Sequence, residues 1–103
     1  MSRSFNKQPR EVKEYDIDGT DFFDSDADEW DTVTIEIDPV TVPPLEAGPG
    51  ALAEYELIGD PKHTVKVWIG GGLDGTRYKV TALMTSVAER VEEEEFYVKV
   101  KEK

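Results

Sequence analysis

The sequence predicts an all-β fold, an antiparallel immunoglobulin-like β-sandwich over residues 11–103 that follows a flexible basic arm at residues 1–10. Three observations predict it. Apolar residues recur with period two in several short runs, turn residues separate those runs, and 103 residues with 38% hydrophobic content suit one modest core. Alternation gives each strand a dry side and a wet side, as in antiparallel sheets packed face to face.

The arm comes first. Residues 1–10 carry Arg3, Lys7 and Arg10 without an acid, so they hold +3 of a net −11 and leave −14 on the rest of the chain. The arm is polar and aperiodic, which suits an extended or disordered tail that orders against an acidic surface of a neighbouring subunit. Glu11 to Asp18, with Tyr15 and Ile17, forms a weaker first strand. From Asp16 to Asp31 the chain has eight acids and no base, a pattern that reads as a solvated loop.

Val33, Ile35 and Ile37 then alternate with Thr34, Glu36 and Asp38 in a clear strand. Pro39, Pro43, Pro44, Gly48, Pro49 and Gly50 mark an irregular stretch unsuited to a central strand or a helix interior. Ala51 to Ile58 is a second weak strand. Val65, Val67 and Ile69 make the next, then Tyr78, Val80, Ala82 and Met84, and finally Phe96, Val98 and Val100. Met84, Val87, Ala88 and Val91 also fall at helical spacing, but only about ten residues are free there, so a hairpin is expected.

Composition narrows function. The chain has no Cys, which removes disulfide scaffolds, thiolate metal sites and cysteine nucleophiles. No apolar run approaches the roughly 20 residues of a helical membrane span, and the first ten residues lack the apolar core of a signal peptide. A soluble protein of a cytoplasmic milieu is the expectation. An acidic pI near 4.4 argues against nucleic acid as a partner.

Most motif matches fail on context. Gly70 to Gly75 fits a dinucleotide fingerprint, but a strand pattern follows it, so no helix N-terminus is expected to hold a pyrophosphate. It reads instead as a glycine-rich turn in which Gly71, Gly72 and Gly75 are structural. Asp24, Asp26 and Asp28 open like a calcium loop, but the sixth position is Glu29 rather than Gly and the twelfth is Ile35 rather than Glu. His63, the sole histidine, has no nucleophile elbow to serve. No catalytic residue, metal ligand or cofactor is therefore assigned. Tyr78 follows Gly75-Thr76 at a strand start, where a tyrosine corner has its ring in the core and its hydroxyl on nearby backbone. Trp68 is out of phase with Val67 and Ile69 and points away from their face, as an interface anchor or under a loop.

One family resemblance gathers these segments. Pro9, Glu11, Tyr15, Ile17 and Asp18, then Asp31-Thr32-Val33, then Val67-Trp68-Ile69 with Gly71-Gly72-x-x-Gly75-Thr76-x-Tyr78-x-Val80, then Thr85-Ser86 and Phe96-x-Val98-x-Val100, resemble the fiber–tail adaptors of tailed phages. The resemblance spans about residues 7–101. Gly19 stands where an aromatic is expected, and Glu89 where Gly is expected. The resemblance implies a non-enzymatic structural protein of the virion tail, assembled in the host bacterial cytoplasm. Its expected partners are other tail or connector proteins and fibers, in several copies of a symmetric assembly, with no membrane and no small-molecule substrate. Arg3, Lys7, Arg10 and Trp68 are then the expected interface residues. Two alternatives are a head or tail-tube decoration protein of the same fold and a calcium-dependent carbohydrate-binding module. The second would use Asp24 to Asp28 and Trp68.

Overall fold

The computed structural model describes residues 3–23 and 27–102. Within them eight strands and no helix form: β1 (Arg3–Lys7), β2 (Lys13–Asp18), β3 (Trp30–Asp38), β4 (Leu45–Ala47), β5 (Tyr55–Gly59), β6 (Lys62–Gly71), β7 (Thr76–Ser86) and β8 (Val91–Val100). The order β1-β8-β7-β3 makes one sheet. In the other, β6 pairs with β2 on one side and with β4 and β5 on the other.

Period-two burial produces this arrangement. Val65, Val67 and Ile69 of β6 and Tyr15 and Ile17 of β2 are buried in one sheet, and Tyr78, Val80, Ala82, Met84, Phe96, Val98 and Val100 are buried in the other. Each buried Val or Phe contributes about 1.5–3 kcal/mol by leaving water. The hairpin expected from Met84 to Glu95 is present, as β7 and β8 pair from Thr76–Val100 to Thr85–Val91. Ten successive cross-strand pairs satisfy the backbone groups of both strands along this ladder, and a two-turn helix there would interrupt it.

Three expectations are corrected. Residues 3–7 of the arm form strand β1, with Arg3 beside Phe96 and Lys7 beside Val100. Composition hid the reason: Phe5 alternates with two long cations and packs its ring against Tyr15 at 4.6 Å and Phe96 at 5.8 Å. That pairing is parallel, so the sheet is mixed rather than purely antiparallel.

The Pro-rich stretch, as expected, supplies no central strand; it holds only the short edge strand β4, whose Leu45 is buried. Together β4 and β5 form one split edge along β6, Leu45 opposite Gly71 and Tyr55 opposite Val67. Edge position is what tolerates nearby prolines.

The acidic segment is not merely a solvated loop. Its apolar residues fold inward: Phe23 and Trp30 are buried, and Phe22 stacks on Trp30 with ring centroids 5.1 Å apart. Asp24 to Asp26 lie outside the described residues.

Candidate functional site: the glycine-rich turn and the outward-facing groups

Between β6 and β7 the chain reverses at Gly71, Gly72 and Gly75, with φ of 74°, 104° and 86°. These left-handed angles suit glycine, and space adds a second reason. A Cβ on Gly71 would stand 2.7 Å from the Pro44 carbonyl oxygen, and one on Gly72 would stand 2.7 Å from Val100 Cγ2.

Tyr78 closes the turn. Its side chain is fully buried, and its hydroxyl accepts a hydrogen bond from Leu73 N–H at 2.8 Å. The same hydroxyl lies 2.6 Å from Thr41 Oγ1, and Thr41 donates to the Pro43 carbonyl at 2.8 Å. A donation chain from Leu73 through Tyr78 and Thr41 to Pro43 satisfies each hydroxyl once as donor and once as acceptor. It ties the glycine turn to the Pro-rich loop. Thr41 could not have been picked from spacing, since it is 37 residues from Tyr78.

The four expected interface residues separate. Lys7 is buried, and its ammonium donates to the carbonyls of Gln8, Pro9 and Gly71. Burial holds its pKa below the usual lysine value, opposed by the nearby Glu11 carboxylate. It is an internal clamp between β1 and the glycine turn, so the docking role expected for Lys7 is corrected. Arg3 is exposed and donates to the Asp16 carbonyl at 3.0 Å. Arg10 is exposed in the turn after β1. Trp68 is half-buried on the outer side of β6, with Lys66 Nζ 5.8 Å from its ring.

His63 is a packing residue. Its ring stacks on Phe23 at 4.2 Å, Nε2 lies 2.9 Å from the Asp28 carbonyl oxygen, and its own carbonyl accepts from Trp30 Nε1 at 3.0 Å and from Gly19 N–H at 2.8 Å. A Cβ on Gly19 would meet both the His63 carbonyl oxygen and Trp30 Nε1 at 2.7 Å. An aromatic at position 19 would therefore collide where Trp30 now fills the space.

Asp28, the described member of the calcium-like run, turns its carboxylate to protein groups. Oδ1 accepts from Glu29 N–H at 2.9 Å and Ala88 N–H at 3.0 Å. The Ser86 hydroxyl, these two N–H groups and the Arg90 guanidinium together hold its pKa below the usual aspartate value against a smaller opposing effect of burial. Glu89 sits in the turn that Asp28 fastens, at φ 66°. It is the left-handed bulge position of a three-residue hairpin loop, where glycine is usual.

The block Gly71-Gly72-x-x-Gly75-Thr76-x-Tyr78-x-Val80 is thus a structural lock: three left-handed turn positions, a hydroxyl that bonds the turn, and a valine in the core. No curated protein matches the chain. The model of the family described as Podophage GP4 fiber-tail adaptor protein gp77 matches residues 7–99, which include this lock and all strands from β2 to β7, and the chain belongs to that family.

Proposed function

We propose that this protein joins the tail of a podophage virion to its fibers as a non-enzymatic adaptor, through an immunoglobulin-like sandwich. The observation that carries the reading is the family match over residues 7–99; a structural tail-adaptor role follows from the family itself. Placement in the virion tail, after assembly in the host cytoplasm, belongs to the same reading.

Strand order supports the immunoglobulin-like part. With β2, β3, β6, β7 and β8 as strands B, C, E, F and G, one sheet holds B and E with a split D edge, and the other holds C, F and G with β1 alongside G. A buried tryptophan at the start of C and a buried tyrosine near the start of F occur in that architecture. Here these are Trp30 and Tyr78. Arg3, Arg10 and Trp68 are the groups we place at contacts with neighbouring tail proteins.

The test is a virion preparation lacking this chain. Tails that form but carry no fibers, and recover them when purified protein is added, support the adaptor role. Full fiber occupancy without the chain overturns it.

A further inference from the structure

Among the described residues, one edge of β8 is half covered. On the side away from β7, strand β1 pairs with Phe96 to Val100, and no described strand pairs with Val91 to Glu95. With β7 on one side, alternate residues of this extended stretch aim their N–H and C=O groups at the opposite edge, the usual template for an added strand.

The open edge borders a groove of about 450 Å³ between the sheets. Extending the inward positions Phe96, Val98 and Val100 back along β8 reaches Glu94 and Glu92, opposite Ala82 and Met84. Both glutamates line the groove with Asp18 and Asp21, over a floor that includes Phe22 and Met84. Four carboxylates around an apolar floor favour a long cationic side chain, whose methylenes cover the floor while its charged end meets the acids. The local cation, Arg90, is already engaged, 4.5 Å over the Phe22 ring and donating to the Phe22 carbonyl at 3.2 Å.

We infer that this groove receives an extended, Lys- or Arg-bearing segment of a neighbouring tail protein, which adds a strand along Val91–Glu95 and sets its basic side chains against Glu92 and Glu94. The inference rests on the adaptor reading and names one contact chemistry for it. Main-chain pairing supplies affinity, and alternation supplies specificity, since every second residue of the incoming strand faces the acids. Inward carboxylates on a free edge also discourage pairing between copies, because they would face one another.

The full-length chain is titrated with the blocked peptide Lys-Val-Lys-Val-Lys-Val while its backbone amides are followed by NMR. Expected are shifts concentrated at Val91–Glu95, weakened by salt, and a loss of about tenfold in affinity in Glu92→Lys/Glu94→Lys. Glu93→Lys/Glu95→Lys makes the same change in charge on the opposite face of β8 and should retain most of the binding. Equal weakening by both pairs, shifts spread over the acidic surface, or no binding at millimolar peptide would overturn the inference. In parallel, both double variants and the unsubstituted chain are added to tails lacking the protein. If the unsubstituted chain and Glu92→Lys/Glu94→Lys incorporate equally, the groove is overturned and the adaptor reading stands. If the unsubstituted chain fails to incorporate, the adaptor reading falls and the groove with it.

Discussion

The Tyr78 hydroxyl both accepts and donates, so removing it leaves Leu73 N–H without its acceptor and takes from the Thr41 hydroxyl one of its two hydrogen bonds. Tyr78→Phe should destabilise the protein by about 1 kcal/mol in chemical denaturation. Thr41→Val should lose part of the same energy, so the double variant should cost less than the two single effects added together. Strict additivity would separate Thr41 from the Tyr78 network. Glu89 has the opposite sign. Its left-handed backbone disfavours a side chain with a Cβ, and Glu89→Gly should raise stability by about 1 kcal/mol if relief of that strain outweighs the added freedom of the unfolded chain. An unchanged or lower denaturation midpoint would show that entropy wins.

Two elements are fastened by single polar side chains. The β7–β8 turn is held by Asp28, which bonds Ala88 N–H from a segment 60 residues away. Its carboxyl titrates below the usual aspartate value of 3.8, so the folded protein resists protonating it more than the unfolded chain does. The stabilisation is complete above that value and is lost as pH falls through the folded pKa. Amide exchange at Ala88 and Glu29 should accelerate, relative to core amides, in acid below about pH 4, and Asp28→Asn should flatten this part of the profile. Strand β1 is held by Phe5 and Lys7. Replacing Lys7 by Met keeps much of its volume but leaves three carbonyls without their donor, and about 2 kcal/mol of stability should go with it. A neutral Lys7→Met would mean that water replaces the ammonium.

At the scale of the molecule, the opposed charges of arm and body are partly consumed inside the fold. Of the three arm cations, Lys7 is internal while Arg3 and Arg10 stay exposed. Deleting residues 2–10 therefore removes a strand and the Phe5 contacts with Tyr15 and Phe96. The isolated protein should unfold at lower denaturant, and any failure to join tails must be judged against that loss. A net charge of −11 repels itself in the compact state, so going from about 20 mM to about 500 mM salt should raise the thermal midpoint by about 3 °C through screening. A falling midpoint would place the balance with attractive pairs such as Lys66–Glu14, 3.4 Å apart.

The strong strands were legible because a period of two needs no tertiary information: Val65 to Ile69, Tyr78 to Met84 and Phe96 to Val100 declare their dry side residue by residue. The glycine turn and Tyr78 were legible in their local part, the left-handed angles and the Leu73–Tyr78 bond five residues apart, while their contacts with Pro44, Val100 and Thr41 were not. Strand β1 was not legible, because Arg3 and Lys7 share a side of the strand with Phe5, and only Phe5 between them is apolar. The acidic segment was misread alike, its charges outnumbering the three aromatics that pack on His63 and on one another. Lys7 could be called a free cation from sequence, and only the fold, by bringing Gly71 and the turn at Gln8 and Pro9 around one ammonium, made it internal. Local alternation determined which strands exist; long-range packing decided which polar residues are buried among them, because only there does a carbonyl from a distant segment, here Gly71, join the local ones of Gln8 and Pro9 to satisfy a charge.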